Sequence, residues 1–303
     1  MGSRLRPLPM CFGGKMEEHT LKKGKKWPPA ILFALIFLIG LALASYPFFS
    51  DWYNRRLQEK LITEYDHTVA AANPEALESE REAARVYNES LLGDMVLRDP
   101  FDPDAIRETT AEYEERLNTA GNGVMGYIEI PKINVNLVIF HGTSTEVLDK
   151  GVGHLENTSL PVGGTGTHAV LSAHTAYAKA SLFNDLIKLN EGDLFILTVL
   201  DEKLAYEVNQ IKVVEPVDTS DLYVDLQEDY VTLVTCTPYG VNSHRLLVRG
   251  TRVPYVEETV AQIQQESNNR RLYLIIAAAV LLTVIVIITV RKMRKRRRER
   301  NEA

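Results

Sequence analysis

Three regimes of hydrophobic patterning divide the 303 residues. Residues 28–49 are apolar apart from Gly40, Ser45, Tyr46 and Pro47, and residues 272–290 carry no charge at all. Each run is long enough to cross a bilayer. Between residues 51 and 93 the period is helical. Leu57, Leu61, Ile62 and Tyr65 recur along one face, Asn73-Pro74 breaks the pattern, and a second helix rich in Glu and Ala is predicted over residues 75–90, ended by Gly93. From Gly126 onward the chain becomes a series of short β-branched or aromatic runs bounded by Gly, Pro, Asn and Asp. They cover residues 127–130, 133–140, 168–172, 194–200, 204–214, 230–235 and 245–252. One helix, residues 180–189 with Ser181 as its N-cap, is predicted among them. So many strands with so little helix imply a mainly β fold, a closed or nearly closed barrel of about eight strands, and not an alternating α/β sheet.

Charge gives this pattern an orientation. Residues 1–28 hold seven Lys/Arg against two acids and residues 291–303 hold eight against two, so an overall charge of -6 leaves the region between them near -17. Basic residues flanking both apolar runs place both termini in the cytoplasm and the middle region outside. The basic tails read as topology determinants and inner-leaflet contacts, and the acidic middle argues against nucleic acid as a partner. The first run also fits a cleaved signal peptide, with Ala42-Leu43-Ala44 at the cleavage position; the middle region is extracellular under either reading.

Candidate chemistry centres on Thr232-Leu233-Val234-Thr235-Cys236-Thr237-Pro238-Tyr239-Gly240-Val241-Asn242-Ser243-His244-Arg245. A strand delivers Cys236 into a turn broken by Pro238 and Gly240, and the returning strand brings Arg245 back beside it. A nearby cation lowers a thiol's pKa, making it a nucleophile, and can steady an oxyanion. The alternative is a small buried apolar cysteine. The other cysteine, Cys11, lies across the membrane, so no intramolecular disulfide is available, and an unpaired extracellular thiol favours the catalytic reading. One cysteine with scattered histidines gives no zinc-ligand spacing, so no metal is expected. For a base, His141, His154, His168, His174 and His244 are available. His174 sits at a strand end and His244 beside Arg245, and spacing leaves these two nearly tied.

These residues resemble the sortases, cysteine transpeptidases of Gram-positive cell surfaces. Thr232-Leu233-Val234-Thr235-Cys236 matches their TLxTC motif, Arg245 stands at their catalytic arginine and His174, in Leu171-Ser172-Ala173-His174, at their catalytic histidine. The Thr237–Asn242 extension, the segment from Gly153 to Gly164, Leu182-Phe183-Asn184-Asp185-Leu186 and the second apolar span look like class C, the pilus-assembling branch. The sequence departs from the family after His174, where Thr175-Ala176-Tyr177 replaces the common Arg-Gly.

The resemblance implies that Cys236 attacks the threonine carbonyl of an LPxTG-like sorting signal. His174 then protonates the leaving amine, and a pilin lysine resolves the thioester while Arg245 holds backbone or oxyanion. No cofactor is implied, and the partners are pilin subunits and the membrane. Asp99-Pro100-Phe101, by itself a proline-stiffened turn, matches the class C lid. On that basis Asp99 should pair with Arg245 in a partly exposed contact, and Phe101 should lie over Cys236. The organisation expected is a basic tail (1–27), an apolar segment (28–49), a helical stalk (50–93), a lid (94–110), the catalytic barrel (111–255), a linker (256–271), a transmembrane helix (272–290) and a basic tail (291–303). No LPxTG-like pentapeptide occurs in residues 258–271, so the chain reads as the enzyme and not a substrate. Rival functions are a membrane-anchored cysteine hydrolase, a housekeeping-type sortase and a non-enzymatic surface scaffold.

Overall fold

The computed structural model describes residues 29–91, 97–102, 109–177 and 180–301. The expected helix end at Gly93, much of the expected lid, and Cys11 lie outside them. The chain divides into two compact units, Met1–Tyr46 and Pro47–Ala303. The first holds the start of helix α1 (Pro29–Ala71), whose apolar side chains such as Leu43 and Phe37 are about two-thirds exposed, as a lipid-facing helix requires. The second holds everything described below.

Helix α2 (Pro74–Ser90) starts where the sequence predicts. Asn73 caps it by accepting from Glu75 N, and Pro74 occupies the first turn. Short helices α3 (Ala111–Glu115) and α4 (Thr145–Leu148) and the long terminal helix α5 (Glu257–Asn301) complete the helical set among the described residues. By length and composition α1 and α5 could each cross a membrane.

Eight strands close a barrel in the order β1-β2-β3-β4-β7-β8-β6-β5. They are β1 (Val124–Ile130), β2 (Val135–His141), β3 (Val152–His154), β4 (Thr167–Ser172), β5 (Leu194–Val199), β6 (Glu202–Val214), β7 (Asp229–Thr237) and β8 (His244–Val253). Two pairings, β2 with β3 and β4 with β7, are parallel, and the rest are antiparallel. Strand β3 was not legible in the sequence, because Val-Gly-His is too short to show alternation. A bulge bends β1 at Gly126, where a Cβ would come 2.3 Å from Thr198 O on β5, a gap that glycine alone fits.

The core runs through the barrel into the helices. Ile62, Tyr65, Val69, Leu77, Ala84 and Tyr87 are buried in the same apolar cluster as Met125, Ile128, Leu197 and Phe195. The region expected as a stalk is therefore packed onto the barrel. Tyr65 donates to Met125 O (3.0 Å) and accepts from Leu200 N (2.7 Å), so its hydroxyl is satisfied in the interior.

The helix predicted over residues 180–189 does not form; only a 3₁₀ turn, Leu186–Lys188, is present. Its apparent periodicity comes from Ala180, Leu182, Phe183, Leu186 and Leu189, which are all buried in the core. Leu186 N, Lys188 N and Leu189 N make i→i−3 bonds in place of helical ones, and the preceding donors are anchored by tertiary bonds. Ser181 N donates to Asp51 and Phe183 N to His174 O. Ser181 is thus bound to α1 and is no N-cap.

Candidate active site

Cys236 and Arg245 face each other directly across the β7–β8 hairpin. The register that the sequence implied is the one observed, because both residues bracket a single tight connection in which Val241 N and Asn242 N bond back to Pro238 O. Asn242 adopts a left-handed backbone, φ 60°, which asparagine tolerates well.

The same hairpin fixes the neighbouring chain that carries His174. One residue, Ala173, separates His174 from the end of β4. Ala173 N donates to Val234 O (3.2 Å), Thr235 Oγ1 donates to Ala173 O (2.7 Å), and His174 O accepts from Phe183 N (3.1 Å). The His174 ring stacks on Tyr177 at 5.4 Å between centroids and meets Phe101 at 5.6 Å. Its Nε2 lies 3.9 Å from Asp149 Oδ1.

Asp99 closes the arrangement. Arg245 Nε donates to Asp99 Oδ1 (2.8 Å) and Nη2 to Oδ2 (2.5 Å), while Nη1 reaches the carbonyls of Asn242 and His244, both at 3.1 Å. The Phe101 ring lies under the guanidinium, 5.2 Å from Cζ to centroid. The segment is self-braced, since Asp99 Oδ1 also accepts from Phe101 N and Asp102 N bonds Asp99 O. The expectation of a partly exposed pair is corrected: the side chains are only 10% and 11% exposed. Leu97 and Phe101 pack with Leu155, Val170, Leu222, Val234 and Leu247 on the outside of the β4–β7–β8 sheet, and this patch shields the pair from water.

The electrostatics follow from this enclosure. Burial pushes the Cys236 thiol above its ordinary value; Arg245 pulls it back and Asp99 raises it again. For Arg245, burial opposes the charge, but hydrogen bonding to Asp99 and attraction to Cys236 and Asp99 outweigh it and hold the guanidinium ionised. The thiol is therefore buried, and the cation beside it is paired with Asp99.

The other sequence candidates fall elsewhere. His154 and His168 are buried, and desolvation pushes both down to about 4. His154 bonds Tyr113 Oη and Ser159 O, and His168 bonds Tyr223 O and Thr232 Oγ1. His141 packs between Arg116 O and Gly123 O. His244 is exposed and its ring nitrogen meets Ser243 Oγ. Among these, His174 is the histidine in contact with the Asp99–Phe101 segment. Among the described residues no group of three or more His, Cys, Asp or Glu is arranged to hold a metal. Sequence reasoning did not single out Asp149, and named Tyr177 only within the departure that follows His174. Nothing flags Asp149 without β3, whose pairing with β4 brings its neighbourhood to His174.

Residues 128–253 match the Sortase domain family. The chain is 33% identical over 131 residues to Sortase D of Bacillus subtilis, a match that spans 42% of this chain and 63% of that protein. Its fold is similar to Streptococcus pneumoniae Sortase C, with 42% identity, a TM-score of 0.59, and coverage of 65% of this chain and 98% of that one. It is similar also to sortase C-1 of Actinomyces oris, with 46% identity, a TM-score of 0.57, and coverage of 60% and 100%.

Proposed function

The chain belongs to the sortase family, and we propose that it is a transpeptidase of the pilus-assembling kind, using Cys236 as nucleophile, His174 as acid and base, and Arg245 as oxyanion or backbone clamp. The observation that carries this reading is the direct opposition of Cys236 and Arg245 at the hairpin mouth, with Asp99 gripping the arginine.

In the resting state the Asp99-Pro100-Phe101 segment is a lid. It buries the thiol's neighbourhood and neutralises Arg245. When a substrate displaces it, the guanidinium fork is freed and the thiol loses a nearby anion, so one motion both exposes the nucleophile and makes it more acidic. The sulfur then attacks the carbonyl of threonine in an LPxTG-like sorting signal. A C–S bond forms, the C–N bond breaks, and the imidazolium of His174 gives its proton to the leaving glycine amine. A lysine amine of a second pilin attacks the thioester, His174 takes its proton, and an isopeptide bond replaces the C–S bond. The planar fork of Arg245 suits the developing oxyanion better than a lysine ammonium would. With α1 and α5 in the membrane, the barrel would work on the extracellular face, where pilins emerge.

Mass spectrometry of the full chain in detergent, incubated with LPxTG-type peptides with and without a lysine-bearing acceptor, tests this. The expected result is a peptide–acceptor product and a thioester adduct on Cys236, both abolished in Cys236→Ala. Cleaved peptide without acceptor joining would mark a hydrolase instead, and no adduct on Cys236 with any peptide would overturn the reading.

A further inference from the structure

The antiparallel pairing of β3 with β4 sets His154 opposite Leu171 and Gly153 opposite Ser172. Carried past the strand ends, the same register brings the chain before β3 alongside the residue after Ala173. There Asp149 Oδ1 stands 3.9 Å from His174 Nε2.

The carboxylate is delivered by fixed backbone. Asp149 caps the C-terminus of α4, with its N–H on Thr145 O at 2.9 Å, and Ser144 caps the other end by accepting from Val147 N at 3.3 Å. Leu148 between them is 1% exposed. The next carbonyl, Lys150 O, accepts from the buried Gln58 Nε2 at 2.6 Å, and Gln58 Oε1 accepts from Val138 N at 2.9 Å. At Gly153 a Cβ would come 2.4 Å from Gly142 O, so the strand that follows is also pressed into place. Elements α1, α4 and β2 thus converge to hold one carboxylate at one imidazole.

We propose that Asp149 is a positioning residue for His174, fixing the ring and favouring its protonated form; this rests on His174 being the acid–base group of the reaction. Tyr177 stacks on the ring from its own loop, Phe101 meets it from the lid, and behind Phe101 the charges of Asp99 and Arg245 cancel. The hairpin contributes Arg245, whose charge Asp99 already offsets, and the Cys236 thiol, which burial keeps toward its neutral form. Among the described residues, Asp99 is committed to Arg245, and Asp149 is a carboxylate that stands within 4 Å of the ring. An opposite charge within ~4–6 Å favours the ionised form of its neighbour. The side chains are 28% and 37% exposed, so solvent screens the effect and keeps it modest.

The test follows the imidazole itself. In the full chain in detergent, labelled with ¹³C-histidine, the His174 signal is assigned by its loss in His174→Gln and titrated. Asp149→Asn is expected to lower its midpoint by about half a pH unit, and Asp149→Glu to restore it. Peptide cleavage should fall roughly threefold in kcat with KM little changed, and its acid limb should move by the same shift. Should Asp149→Asn fold poorly, Asp149→Ser carries the same test. An unmoved His174 midpoint, or a moved midpoint with unaltered cleavage, overturns the proposal. Because the titration is read without turnover, a dispensable His174 would refute the catalytic reading separately.

Discussion

Asp99 holds Arg245 by two parallel hydrogen bonds across 146 residues of sequence, with both side chains about nine-tenths buried. A surface pair would be worth little, but a buried pair that loses one partner leaves an uncompensated charge, which is strongly disfavoured. In the mechanism proposed above, the lid would therefore act as a latch that opens only when something else takes the guanidinium.

Removing the latch should unmask the thiol. Asp99→Ala with Phe101→Ala is expected to speed alkylation of Cys236 on the order of tenfold at pH 7.5, partly through access and partly through a lower thiol pKa. The sign is fixed by burial and Asp99 both raising that pKa in the closed form. The pH midpoint of alkylation should move down in the double variant. Equal rates and midpoints in both proteins would make Asp99-Pro100-Phe101 an ordinary turn.

Arg245→Lys should keep the fold and lose turnover by roughly 100-fold, since a point charge cannot reproduce two directed donors. Steady-state cleavage of a sorting peptide measures it. Near-native turnover would demote Arg245 to a purely structural role.

His174→Ala should abolish transpeptidation, whereas His244→Ala should leave it within a few-fold, because the His244 ring is exposed and meets Ser243 Oγ. The reverse pattern would exchange the two assignments.

Acid should weaken the fold through His154 and His168. Both are buried neutral with values near 4, below the ordinary 6.5, so the unfolded chain binds more protons between those limits. Stability is then complete above about pH 6.5 and is lost as pH falls toward 4, by up to about 3 kcal/mol per group. Thermal unfolding of the full chain in detergent between pH 7.5 and 4.5 should show this slope, and His168→Gln should flatten it. An unchanged slope would assign the acid sensitivity elsewhere.

Tyr65→Phe tests the packed helical arm. It strips a hydroxyl that serves Met125 O and Leu200 N in the interior, and should cost about 1–3 kcal/mol, read as a lowered midpoint in the same thermal assay. A silent substitution would mean that α1 contributes packing alone.

What the sequence by itself determined is whatever depends on near neighbours. The two apolar spans, the break at Asn73-Pro74 and seven of the eight strands follow from runs of like residues and their punctuation. The opposition of Cys236 to Arg245 follows too, because a hairpin allows few registers between residues so close in the chain. Choosing His174 over His244 took the family resemblance, since spacing gave them equal standing. Tertiary structure alone decided what lies far apart in sequence. Residues 180–189 looked helical, yet burial of Ala180, Leu182, Phe183, Leu186 and Leu189 in the core outweighed local propensity. The burial of the Asp99–Arg245 pair depends on a patch assembled from the lid, β4, β7 and β8, and Asp149 reaches His174 only through a three-residue strand with no period to read. Long-range contacts of this kind are set by strand register and shared burial, which no local pattern encodes.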